Sequence, residues 1–207
     1  MKLRQIEGQT QMKAKYLSCA ETAKLVRAAL KRTFPGVKFS VKSRTYAGGA
    51  SIDCYWTDGP CARAVEAVTG QFRGANFDGM IDMKTSFDSW LSPDGTAIVA
   101  SDPGTQGSSG VLPPERNWMP DPDAKLVRFG ANFIFCTRTT TANLLRRVRA
   151  RLEAKGLPAE VVEIVEYSDG GGYAKITSYD ETLTRGFDMQ REMNIAAANT
   201  YCVKAAT

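Results

Sequence analysis

The chain contains no histidine. That absence removes Ser-His-Asp and Cys-His nucleophile pairs, His-ligated zinc and the commonest general base. An enzyme built from this sequence would have only carboxylates, lysine, tyrosine or a bare cysteine to work with. The expectation is therefore a non-enzymatic protein with no cofactor. No run of about 18 apolar residues occurs, so no membrane span is expected. The leader MKLRQIEGQTQMKAKY is basic but lacks the apolar core of a signal peptide, and residues 1–17 read as a mobile basic arm. The five cysteines, Cys19, Cys54, Cys61, Cys136 and Cys202, are odd in number and include no C-x-x-C pair. Scattered thiols without a secretion signal point to reduced, mostly buried cysteines in a cytoplasm.

Strong charge of one sign is also missing. Lys and Arg exceed Asp and Glu by 27 to 22 over 207 residues, a formal +5. That is less than a DNA-packaging protein carries. It favours attraction to phosphate or to an acidic protein and excludes a DNA-mimicking decoy. The length suits one fair-sized domain or two small ones.

What is present begins with SCAETAKLVRAALKRTF, residues 18–34. Ser18 and Glu21 form a capping box, Pro35-Gly36 is a stop signal, and Leu25, Val26, Ala29 and Leu30 make the inner arc of a helix. Next, VKFSVKSRTYAGGASIDCYW alternates with period two around Gly48-Gly49, the pattern of a hairpin. Ile52, Cys54 and Trp56 fall on its inner face, and Lys42 and Arg44 come near Asp53 across the strands. Asp58-Gly59-Pro60 then opens a second helix, and a short strand is expected at Met80–Met83. Residues 92–124 are rich in Pro, Gly, Ser and Asp and read as a surface excursion or linker. KLVRFGANFIFCTR reads as one strand buried on both faces.

The second half repeats this logic. TTTANLLRRVRARLEAKGLP echoes ETAKLVRAALKRTFPG, a glycine turn at Gly170–Gly172 joins two more strands, and a closing helix is expected around GFDMQREMNIAAANTY. The fold class is α+β: two α-β-β-α-like units with mainly antiparallel sheet and helices packed on it. The divisions are 1–17, 18–91, 92–124 and 125–207. A diverged internal duplication explains the recurrence, and coincidence between common helix–hairpin pairs is the alternative.

Chemistry-bearing residues are few. Lys24, Arg27 and Lys31 share one face of the first helix. Arg147, Arg151 and Lys155 recur four residues apart on the later helix, flanked by Arg146 and Arg149 and offset by Glu153. Such stripes can track phosphates or grip an acidic groove, although a solvated helix face has the same pattern. Lys42, Arg44 and Tyr46 add basic and aromatic groups at the hairpin, where bases could stack. Trp56 belongs to the core. Asp78, Asp82 and Asp88 match no calcium-loop spacing and read as capping or loop carboxylates, so no metal is expected. Cys61 at a helix start has no histidine beside it to make it a nucleophile.

The segments FPGVKFSV, GG-S-ID, W-x-DGP and F-x-GM-D, followed by VRFGANFIFCTR, resemble a known family over roughly residues 20–138. These are the large polyvalent protein-associated domains of the twenty-ninth type, carried by plasmids, phages and integrated elements. The resemblance implies a protein of a mobile genetic element acting in the cytoplasm of a bacterial host, where such domains are suspected of shielding incoming DNA from defence. It carries over no catalytic residues. The leading expectation is a counter-defence binding protein of anti-CRISPR or antirestriction type. Its partner would be a host defence nucleoprotein complex or the nucleic acid that complex uses. The alternative is an accessory protein escorting element DNA, and a weaker one is a carboxylate- or metal-dependent enzyme. A duplicated unit can mimic a two-fold dimer within one chain, and a homodimer is equally compatible with the sequence.

Overall fold

The computed structural model describes residues 13–101, 120–156 and 161–176. A short strand β1 (Lys15–Leu17) leads directly into helix α1 (Cys19–Thr33). The helix start is the capping box the sequence announces. The Ser18 hydroxyl and backbone N–H donate to Glu21 Oε2 at 2.7 and 2.8 Å, and Glu21 N–H returns a bond to the Ser18 hydroxyl at 3.3 Å. Val26, Ala29 and Leu30 are buried, joined by Cys19, Thr22 and Ala23.

The hairpin follows as β2 (Ser40–Tyr46) and β3 (Gly49–Thr57), turning at Gly48 with φ 85°. Helix α2 (Ala62–Thr69) and a 3-10 turn at Gly70–Phe72 come next. Strands β4 (Ala75–Asp78), β5 (Met83–Ser86), β6 (Asp88–Leu91), β7 (Ala97–Ser101), β8 (Lys125–Phe129) and β9 (Phe133–Thr139) precede helix α3 (Ala142–Glu153). The described chain closes on the antiparallel pair β10 (Val162–Glu166) and β11 (Gly172–Ile176). The fold is mixed α+β with small, mostly antiparallel sheets. Among the described residues no helix is long and apolar enough to cross a membrane.

Two compact units are assembled from interleaved segments. The first takes the described residues up to Thr33 with Ser40–Cys54 and Glu66–Cys136. Its largest sheet has the order β1-β8-β6-β7, with β1 parallel to β8 and the other pairs antiparallel. Phe72 and Phe129 meet edge to face at 5.6 Å in its core, beside buried Val26, Leu30 and Val127. The Gln71 side chain donates to the Val68 carbonyl and accepts from Ala97 N–H at 2.7 Å, fixing the start of β7.

The second unit takes Phe34–Phe39, Tyr55–Val65 and the described residues from Thr137 onward. There α3 packs Leu144, Val148 and Leu152 against Val161, Val162 and Ala174 of the last hairpin. Thr141 caps α3 by accepting from Leu144 N–H at 3.1 Å. Asp58 secures the cap, since its carboxylate accepts from Thr141 N–H and from the Thr141 hydroxyl, each at 2.9 Å. Trp56 is buried as expected, stacking at a tilt 5.6 Å from Phe39 and donating to the Pro60 carbonyl.

Four local expectations differ from the structure. Lys15–Leu17 of the basic leader is ordered as β1, because its backbone pairs with β8. Gly79–Asp82 is the turn of the β4–β5 hairpin, so Met80–Met83 is no strand; Asp82 takes φ 51° and Asp78 accepts from Met80 N–H at 3.0 Å. Ala97–Ser101 of the Pro/Gly-rich stretch is a strand, paired with β6. KLVRFGANFIFCTR is two strands broken at Gly130, with Phe135 more than half exposed. The rest of that stretch over 102–119, the expected closing helix and Cys202 lie outside the described residues.

Gly130 is required at the end of β8 for a steric reason. Its N–H donates to the Leu17 carbonyl at 2.7 Å, and a Cβ there would lie 2.6 Å from that oxygen and 2.9 Å from Cys19 N. Gly130→Ala is expected to lower unfolding stability by about 1–3 kcal/mol, read from the denaturant midpoint. A wild-type midpoint would show that the β1–α1 junction yields freely.

The capping box sets a pH dependence. Hydrogen bonds from the Ser18 hydroxyl and then its backbone hold the Glu21 carboxyl below its ordinary value of 4.5. A carboxyl held low when folded stabilises above its unfolded value and loses that share as pH falls through the folded one. Glu21→Gln should therefore melt below wild type at neutral pH, with the gap closing below pH 4.5. A gap that persists in acid would point to packing and not to the carboxylate.

Candidate functional site

The first unit places two of the sequence-identified groups side by side. Lys24, Arg27 and Lys31 are all exposed on the outer face of α1, and α1 packs on β2. Arg27 makes the junction, its guanidinium donating to the Val41 carbonyl at 2.6 Å. Val41 is the buried residue of β2; Lys42, Arg44 and Tyr46 are exposed beyond it. β2 is an edge of the sheet ordered β2-β3-β9, so its outer backbone is not covered by a further strand of that sheet.

Arg44 lies 3.2 Å from Asp53, as cross-strand geometry suggests, in an ion pair without hydrogen-bond alignment. Tyr46 is 48% exposed, and its ring edge lies over Gly49 at the turn. Pattern reading missed two cations of this region. Lys84 of β5 donates to the Gly48 carbonyl at 2.7 Å, and Arg32 donates to the Asp94 carbonyl. Lys84 directly opposes the exposed Phe77 across the β4–β5 hairpin. Neither partner is near in sequence, so no periodicity could have announced them.

The Arg-rich face of α3, in the second unit, differs from its sequence reading. Arg146 pairs with Glu166 of β10 at 2.5 Å and also donates to Asn143. Arg149 pairs with Glu153 at 3.0 Å. Glu153 is thus not the sole offset; β10 brings a second acid. Arg151 and Lys155 also have interaction partners, while Arg147 is exposed.

The acidic residues serve local structure. Asp78 caps its own turn, Asp82 sits in that turn, and Asp88 holds Arg128 at 2.7 Å. Among the described residues no three acids or thiols gather as a metal site requires. Cys61 precedes α2, where its carbonyl accepts from Ala64 and Val65 N–H. Cys19 is buried, with its thiol 3.3 Å from the Ser51 carbonyl, and burial pushes its pKa up.

Cys54 and Cys136 are paired. The Cys54 thiol interacts with the Cys136 sulfur, which also lies 3.4 Å from the Thr69 hydroxyl. The bond from Cys54, helped by that of Thr69 and opposed by burial, draws Cys136 down to about 7. The same bond and burial push Cys54 up.

These features define a mixed α+β protein that presents a basic helix beside a basic edge strand. The sequence matches the family model described as large polyvalent protein associated domain 29 over residues 17–142, and the chain belongs to that family. Comparison with curated proteins and with solved structures finds no match.

The two kinds of cation on α1 separate experimentally. Arg27→Met should cost about 1.5–3 kcal/mol in thermal or denaturant unfolding, the range for a hydrogen bond from a charged group. Lys24→Met and Lys31→Met should stay within about 0.5 kcal/mol of wild type. Equal losses at all three would show that the outer face of α1 serves stability.

Proposed function

We propose that the protein is a non-enzymatic counter-defence factor of a mobile genetic element, of anti-CRISPR or antirestriction type. It docks on a host defence nucleoprotein complex through the nucleic acid that the complex holds. The contact surface is the outer face of α1 with the exposed edge of β2.

One observation carries this reading. The Arg27 bond to Val41 sets Lys24, Lys31 and Lys42 on one continuous surface, with Arg44 and Tyr46 beyond them. A carbonyl partner satisfies a guanidinium without cancelling its charge, so Arg27 and Lys84 stay electrostatically positive while structurally fixed. On α3, by contrast, Glu166 and Glu153 neutralise two arginines. Family membership supports the mobile-element setting.

Each phosphate neutralised by a lysine releases counterion and adds about 0.7 to 0.9 to the slope of log affinity against log salt. The test is fluorescence anisotropy of labelled single- and double-stranded DNA and RNA with the full chain, over a salt series. Wild type is expected to bind with a steep slope. Lys24→Glu combined with Lys31→Glu should weaken binding at least about tenfold and lower the slope by about two. Unchanged affinity in the double variant would remove this surface. No binding to any probe at low salt would remove the nucleic acid as the point of docking.

A further inference from the structure

Cys54 and Cys136 are 82 residues apart in the chain, and the fold joins them. The Asn132 N–H bond to the Ala50 carbonyl, 2.9 Å, aligns the approach to β9 with β3, which are neighbours in one sheet. Each cysteine lies four residues further along, which brings their side chains together across the two strands. Neighbouring strands run about 4.7–4.9 Å apart, inside the roughly 4.4–6.8 Å between Cα atoms that a disulfide spans. Closing the bridge draws the Cβ atoms from about 4.5–5.5 Å, usual across strands, to about 3.5–4.5 Å.

The two thiols are unequally placed. Cys54 is fully buried, whereas Cys136 is partly exposed. A small oxidant in solvent reaches Cys136 first. The Thr69 hydroxyl at 3.4 Å and the Cys54 thiol both direct hydrogen-bond capacity at the Cys136 sulfur, an arrangement that favours its thiolate.

We propose that Cys136 and Cys54 form an oxidisable dithiol, a modification site for hydrogen peroxide that closes to an intramolecular disulfide. In the first step the Cys136 thiolate attacks one peroxide oxygen and the O–O bond breaks. Sulfur is oxidised to sulfenic acid, and hydroxide leaves. In the second step the Cys54 sulfur attacks the Cys136 sulfur, forming S–S and breaking S–O. The Cys54 proton, already directed at Cys136, departs with the leaving hydroxide as water. The net change consumes one peroxide and two thiols and yields a disulfide and two waters. Cys19 is excluded as resolving partner, because its buried thiol is committed to the Ser51 carbonyl.

The experiment uses the native full chain. Iodoacetamide labelling at neutral pH with peptide mass mapping should modify Cys136 about tenfold faster than Cys61, the other partly exposed described thiol. Brief hydrogen peroxide treatment, then non-reducing digestion, should give a Cys54–Cys136 linked peptide lighter by two hydrogens, and dithiothreitol should restore both thiols. Cys54→Ala should stop the reaction at a Cys136 sulfenic acid that dimedone traps. Should that variant fail to fold, the wild-type linkage map decides alone. Oxidation of Cys61 ahead of Cys136, or a peroxide-treated chain with no Cys54–Cys136 link, would overturn the assignment.

Discussion

The close backbone approach at Gly130 is the constraint on which both sites of the first unit depend. Its N–H reaches the Leu17 carbonyl where β1 passes into α1, and a side chain there would strike Leu17 and Cys19. One residue without a Cβ therefore lets the end of β8 close on the start of α1, and β9 begins three residues later. Two residues on, Asn132 bonds to the Ala50 carbonyl and commits β9 to lie by β3. The first consequence orients the basic face of α1. The second brings Cys136 beside Cys54. Neither site is a local motif; both are by-products of how tightly one turn is packed.

Charge count alone does not distinguish the two basic helices. α3 carries more arginine than α1, yet two of its four pair with acids within the unit, Arg149 with Glu153 on the same helix and Arg146 with Glu166 on the hairpin it packs against. α1 carries as many cations, and its Arg27 and Arg32 find backbone carbonyls, which fix geometry and leave the charge in place. The distinction matters because an ion pair at a surface contributes little to stability and removes far field, whereas a carbonyl-bound guanidinium still attracts phosphate. Arg44 lies between these cases: it pairs with Asp53, yet its side chain stays 66% exposed.

Legibility in the sequence followed the distance between partners. The capping box at Ser18 and Glu21, the inner arc of α1, the inward Trp56 and the Arg44–Asp53 pair were readable, because helix spacing and strand alternation fix neighbours within a few residues. β1, β7 and the break at Gly130 were not, because each exists through pairing with a distant segment. The β4–β5 turn was missed because Met80 and Ile81 look like core residues and are exposed. Of the candidate surface, the stripe and the hairpin cations were legible. Lys84 and the Arg27 bond that unites the surface were not.

The missing histidine has a consequence beyond catalysis. A chain without imidazole ordinarily has no side chain titrating near neutrality, since carboxylates lie well below and lysines well above. Here contacts with Cys54 and Thr69 draw Cys136 down toward that interval, to about 7, against the opposing effect of burial. The Cys54 contact exists because β9 runs beside β3. In the proposed function the basic surface answers to salt, because each phosphate it neutralises releases counterion. The thiol pair responds to oxidant. The first unit therefore carries two chemistries addressed by different signals, and the same backbone approach positions both.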